Sequence, residues 1–183
     1  MSENSTNWLN ARQALIFSLG AILCFHLAYT PAKSGLFAFA MIGYVLGLVQ
    51  LARSRTTRQA FYVSLATGFA CFAPQLAFFW GIFGASAIAL WMILALWTVA
   101  FVVLTRLAIV QLGLGRAAFL TPFLWTGLEY FRSELYYLKF SWLNVGYAFA
   151  EVPYVPWRFI GTYGMGFGLV AAVVVGLQIK RVS

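Results

Sequence analysis

Six long apolar runs, at residues 14–29, 35–52, 60–84, 85–111, 114–130 and 159–179, leave this chain almost no polar surface with which to cover a soluble core. Only 9% of its residues are charged, against roughly 25% in ordinary soluble domains. Crossing about 30 Å of hydrocarbon takes ~20 apolar residues per helix, and several of the runs supply them. The chain reads as an integral membrane protein. Hydrocarbon offers no partner to a bare backbone N–H or C=O, so helices are the expected spanning element. A β-barrel would instead show short alternating segments between turns, whereas these runs are continuous. The predicted fold class is all-α, a polytopic bundle of about six transmembrane helices forming one domain over residues 1–183.

The breaks between runs have local causes. Pro31 and Gly35 separate the first pair, and the polar hexad RSRTTR at 53–58 separates the second run from the third. Between the third and fourth, the stretch GIFGAS at 81–86 offers the available turn. Pro74 and Gln75 lie inside the third run, which predicts a kink and a carbonyl that a neighbouring helix must satisfy. The fifth run is short, and Arg116 is placed to snorkel at its start. The first run follows Arg12 and could be taken for a signal peptide, but Thr30-Pro31-Ala32-Lys33 lacks a clean small-residue cleavage site. It reads as a retained helix.

The net charge of +8 is a topology signal rather than a nucleic-acid footprint, because Lys and Arg are scattered between apolar runs and form no basic stripe. Arg12, Arg53, Arg55, Arg58, Arg106, Arg116, Lys180 and Arg181 collect on one side, against Lys33, Arg132, Lys139 and Arg158 on the other, mixed with Glu129, Glu134 and Glu151. That bias predicts both termini in the cytoplasm and the long connection 131–158 outside. The connection is aromatic, with Tyr136, Tyr137, Phe140, Trp142, Tyr147, Phe149, Tyr154 and Trp157 among its residues. Rings of this kind favour the headgroup level, so a re-entrant or interface-lying segment is expected.

Chemistry-bearing residues are few. Glu129 and Arg132, three apart, share a helical face at the outer end of the fifth run. Ionisable groups at membrane depth are expensive and are functional candidates for that reason. Two readings stand side by side here, an interfacial ion pair that anchors the helix end or a contact with substrate headgroups. His26 has no Glu or His at metal-ligand spacing, so it reads as a packing residue at a helix contact, and no metal or cofactor is expected. Cys24 and Cys71 lie in apolar runs without a local base and read as small buried hydrophobes. The glycines of GTYGMGFG at 161–168 lack the Lys-Ser/Thr ending of a phosphate loop and point to close helix packing.

Pro122, Leu124, Trp125, Glu129, Arg132, Phe140, Trp142, Gly146, Tyr147, Gly161, Gly164 and Phe167 follow one another in an order and spacing that resemble the membrane portion of the apolipoprotein N-acyltransferases. Upstream, Gly68-Phe69 and Trp80 are similar to that family too. Two positions depart from its pattern: Ser141 stands where a proline is usual, and Phe149 where a polar residue is. The resemblance implies a membrane module in the bacterial inner membrane, multi-pass, serving transfer of a phospholipid acyl chain to the N-terminal cysteine amine of lipoproteins. The implied partners are phospholipid and lipoprotein acyl chains and a nitrilase-like catalytic subunit or domain. The candidate substrate- and lipid-facing residues are Glu129, Arg132, Trp142 and Tyr147. The family's Glu–Lys–Cys triad has no counterpart in the sequence up to Ser183, so the chain is expected to be truncated relative to the family and inactive alone. Two other readings remain, a small transporter and a structural anchor for another envelope enzyme.

Overall fold

The computed structural model describes residues 8–30, 35–150, 152, 153, 155 and 157–182, with side chains for all of these except Trp157, Arg158 and 179–182. Lys33, Glu151 and Tyr154 from the charge and aromatic patterns, and the Pro31 break, lie outside what is described, as do the side chains of Trp157, Arg158, Lys180 and Arg181. The described elements are helical: α1 (Ala11–Ala28), a 3-10 turn (Leu36–Ala40) running into α2 (Met41–Leu51), α3 (Thr57–Gln75), α4 (Phe78–Phe83), α5 (Ser86–Tyr130) and α6 (Trp157–Val182). Three helical stretches are long and apolar enough to cross a membrane: Ala11–Ala28, Ser86–Leu135 and Phe159–Gln178.

The longest of these is bent back on itself. Within α5, Gly113 takes φ 78° and ψ 165°, a left-handed φ that glycine adopts without a Cβ clash. Phe101 and Trp125, twelve residues either side of it, meet edge to face at 4.8 Å between centroids. A straight helix would hold those rings roughly 36 Å apart at about 1.5 Å per residue. Trp97 and Phe131, further from the bend, meet as well. The two arms of α5 are therefore an antiparallel hairpin, and the expected break between the fourth and fifth runs falls at its bend.

Pairwise contacts order the rest. Ser18 pairs with Thr67 and His26 with Gln75 at the same sequence offset of 49, which makes α1 and α3 parallel. α2 runs between them in the opposite sense, its Gly43 and Gly47 lying close against Cys24 and Ala21 of α1. A Cβ on Gly47 would stand 2.7 Å from that of Ala21, so the small residues set the helix separation. Gly68 of α3 rests on Ala95 and Thr98 of the first arm of α5, and Phe123 of the second arm meets Phe167 of α6. The result is an alternating bundle. Arg53, Arg55, Arg58, Arg106 and Arg116 gather at the end marked by Gly113, and Arg132 and Lys139 lie at the other.

The third run is not one helix, a correction to the span expected at 60–84. It starts earlier, where Thr56 Oγ1 accepts from the Gln59 N–H, and it breaks after Gln75 before resuming as the short α4. Pro74 has no N–H for the Ala70 carbonyl, and His26 Nε2 on α1 takes that place at 3.0 Å. Gln75 Nε2 reaches His26 Nδ1 at 3.1 Å, which fixes the proton on Nε2. The helix at 14–29 likewise starts earlier, at Ala11, behind a capping box of Asn10 and Gln13.

Outward-facing Leu15, Leu19, Leu23 and Phe119 stay more than half exposed on the bundle surface. In water that would be an aggregation liability. Against lipid it costs nothing.

Candidate functional site

The second arm of α5 ends at Tyr130 and continues into a π-helical turn, Phe131–Leu135. Such turns admit one extra residue and often mark functional positions. Here it carries Arg132 and Ser133 to the inside, where both are buried. The chain then doubles back, with Lys139 at φ 44° and Leu143 at φ 54°. Non-glycine residues in the left-handed region cost of order 1–3 kcal/mol and persist where their surroundings hold them. A 3-10 turn, Val145–Phe149, closes the return by packing on α6. Gly146 makes that packing possible, since a Cβ there would collide with the Thr162 carbonyl.

Polar side chains from three elements converge under this returning segment. Glu129 Oε1 accepts from the Val145 N–H at 2.9 Å. Arg132 Nη2 donates to Asn144 Oδ1, and Asn144 Nδ2 donates to Ser133 Oγ at 3.0 Å. From the end of α1, the Tyr29 hydroxyl donates to the Asn144 carbonyl at 2.9 Å. Glu129, Arg132 and Asn144 are all at least nine-tenths buried. The carboxylate and guanidinium thus turn to separate hydrogen-bond partners while attracting each other within the buried interior. This corrects the reading of the two as an interfacial ion pair at the helix end.

The cluster holds polar capacity it does not spend on itself. Glu129 Oε2 and Trp125 Nε1 interact with each other without forming a well-made hydrogen bond, and Arg132 Nε is buried without a partner. The first two lie against Gly166 of α6, where a Cβ would approach them to 2.8 and 3.2 Å. Beside them is a gap of about 30 Å³ lined by Tyr44, Thr98, Trp125, Glu129 and Arg132, room for a water or two.

Trp142 and Tyr147 sit differently. Both are roughly half exposed, and the Trp142 ring leans on Phe78 and Phe79 at 5.8 and 5.6 Å. Tyr147 borders a cavity of about 240 Å³ that it shares with Tyr29, Gly35, Phe37 and Val152. Of the four residues singled out in sequence, Glu129 and Arg132 form a buried pair, whereas Trp142 and Tyr147 are half-exposed on the returning segment and face different neighbours, α4 and the cavity beside Tyr29. Asn144, Tyr29 and Ser133 complete the buried pair's hydrogen bonds and were not singled out. Their signal is tertiary, because Tyr29 is 115 residues from Asn144.

The family model described as the apolipoprotein N-acyltransferase N-terminal domain matches residues 20–175, which takes in the second half of α1, the whole polar cluster and most of α6. The chain belongs to this family. A comparison with curated proteins found no match. Apolipoprotein N-acyltransferase N-terminal domains are membrane-associated, and the apolar helices described above agree with a membrane protein.

The two departures from the family's pattern have structural counterparts. The Ser141 N–H donates to the Lys139 carbonyl at 3.0 Å, a bond that a proline could not make. Phe149 is fully buried, edge to face with Phe39, so apolar packing holds the 3-10 turn. Cys24 and Cys71 are free thiols, and Cys24 lies against Gly43 as a packing residue.

Proposed function

We propose that this chain is the membrane module of an apolipoprotein N-acyltransferase-type system in the bacterial inner membrane. It crosses six times with both termini in the cytoplasm, and it holds phospholipid and lipoprotein acyl chains beneath a nitrilase-like catalytic domain. The observation that carries this reading is the pairing of an exposed rim, Trp142 and Tyr147, with a buried Glu129–Arg132 cluster that shapes it. The rim rings meet the headgroup region of the substrates. Glu129 and Arg132 act as positioning residues, gripping Val145 and Asn144 on either side of the turn that presents those rings. This division refines the four candidates, which the sequence grouped as lipid-facing.

The test uses a complete acyltransferase containing this module. Trp142→Ala is expected to lower acylation of a lipoprotein peptide at least tenfold (about 1.4 kcal/mol), and Glu129→Gln to lower it by less while loosening the returning segment. If both variants acylate at the parent rate, the assignment of this rim is wrong. Orientation is checked in a background without native thiols: Tyr137→Cys should react with an impermeant maleimide added outside spheroplasts, and Arg55→Cys should not.

A further inference from the structure

The small gap beside the buried pair makes narrow demands on whatever fills it. It measures about 30 Å³ and is walled by Tyr44, Thr98, Phe101, Trp125, Glu129 and Arg132 among others. Arg132 Nε has no hydrogen-bond partner among the described residues, and Glu129 Oε2 has only its imperfect contact with Trp125 Nε1. The Tyr44 and Thr98 hydroxyls are engaged with each other and do not answer that need. Glu129, Arg132 and Trp125 are all more than nine-tenths buried, so neither lipid nor bulk water reaches these atoms from outside. A buried charged group left short of a hydrogen bond bears the full penalty of its lost hydration. Size, charge and hydrogen bonding then limit the occupant. A water needs about 10–15 Å³ of such space, so the gap is too small for an acyl chain or a headgroup. An ion of either sign would be repelled by the carboxylate or by the guanidinium. The occupant must accept from Arg132 Nε and donate to Glu129 Oε2, and water does both.

We propose that this gap is a binding site for internal water, with one molecule bridging Arg132 Nε to Glu129 Oε2 and room for a second beside it. Buried waters of this kind answer otherwise unsatisfied polar groups and are costly to remove. The bridge closes a ring. Glu129 holds the Val145 N–H, Arg132 holds the Asn144 side chain, and the water joins the two charged groups behind them. Both sides of the returning turn are thereby tied into one polar unit. The site does not rest on the role given to Trp142 and Tyr147, and it stands whether or not those rings meet substrate.

Radiolytic labelling of the full chain in detergent tests this. A brief X-ray pulse splits bound water into hydroxyl radicals, which mark the side chains beside it, and water enriched in a heavy oxygen isotope identifies the oxygen gained. Phe101 lines the gap and is almost wholly buried. Phe25 is equally buried, packed among the rings of Tyr29, Tyr44 and Phe72, and serves as the control. Phe101 should be modified several-fold faster than Phe25. The double variant Glu129→Leu/Arg132→Met makes both charged walls apolar and should bring Phe101 down to the Phe25 rate. Equal rates in the parent overturn the proposal, and this arm needs no variant to fold. Equally slow rates would mean a dry gap, and equally fast ones that bulk water enters as the helices part. Unchanged fast labelling of Phe101 in a folded double variant would also overturn it, because the two charges would not be what holds the water.

Discussion

Each end of the bundle buries an arginine, and the two are treated in opposite ways. At the Gly113 end, Arg106 donates to the Ser54 and Arg55 carbonyls and to Thr57 Oγ1, and its guanidinium lies 4.6 Å from the Trp8 ring centre. Leu9 pairs with the same loop through Arg53 and Arg55, so the guanidinium locks the 53–57 turn and the N-terminal strand-like stretch into one plug. At the other end, Arg132 meets the Asn144 side-chain amide and, at 3.5 Å, the Trp142 carbonyl, and it is balanced by a carboxylate while its Nε has no partner. A buried charge whose donors are taken up by backbone carbonyls is a fastener. One balanced by a second buried charge, with polar atoms left over, is an arrangement that stability alone does not call for.

The comparison breaks most readily at Glu129. Glu129→Leu removes the acceptor for the Val145 N–H and leaves Arg132 buried without a counter-charge, an error that costs about 3–5 kcal/mol for buried pairs. Glu129→Gln keeps an acceptor and should recover part of that. Thermal unfolding in detergent should place the two variants in that order below the parent. Equal midpoints for Glu129→Leu and the parent would mean that the cluster is hydrated and only loosely coupled.

Arg106→Gln comes next, at about 2 kcal/mol for hydrogen bonds lost from a charged donor. Its signature is spatial. Hydrogen exchange should quicken at residues 53–57 and around Leu9, leaving 140–149 unchanged, whereas Glu129→Leu should do the reverse. If each variant perturbs both ends, the bundle transmits strain along its length and the two arginines are not independent.

A smaller effect separates two glycines on α6. Gly166→Ala presses a methyl group onto Glu129 Oε2 and Trp125 Nε1, and overpacking of this kind costs about 1–3 kcal/mol. Gly176→Ala meets open space and should be neutral or stabilising by roughly 0.5 kcal/mol through helix propensity. Paired unfolding curves decide the matter. Similar midpoints for both would remove the close contact between α6 and the polar cluster.

How much of this could be read from sequence follows the range of each interaction. The helix order and the turn at 81–86 came from local punctuation, because Gly and Pro act on their own φ angles and neighbours, whereas the break between the runs ending at 111 and starting at 114 is placed in sequence without Gly113 as its named cause. Glu129 and Arg132 stood out because charge is rare in apolar runs. Thr56 and Asn10 are caps whose polarity made them look like loop, so α3 and α1 begin earlier than the apolar runs do. Burial of the Glu129–Arg132 face, and its closure by Asn144, Ser133 and Tyr29, needed the third dimension. In a chain apolar on nearly every face, periodicity does not say which face meets protein and which meets lipid.

The Pro74 kink lets the central comparison be sharpened, because it sets a fully matched polar site near the same end of the bundle as Arg132. Sequence predicted an orphaned carbonyl there, and His26 Nε2–H supplies its donor. His26→Ala should therefore cost about 1 kcal/mol, the scale of a hydrogen bond between membrane helices. Pro74→Ala gives Ala70 back its own intrahelical donor, so in that background His26→Ala should cost markedly less. A double-mutant cycle with a coupling near 0.6–1 kcal/mol would show that the matched style of burial is not confined to the Gly113 end. The unspent polar atoms around Glu129 would then be a property of that cluster itself. A coupling of zero would mean that His26 contributes only by filling space between α1 and α3, and the freed carbonyl would have to be answered by some other group.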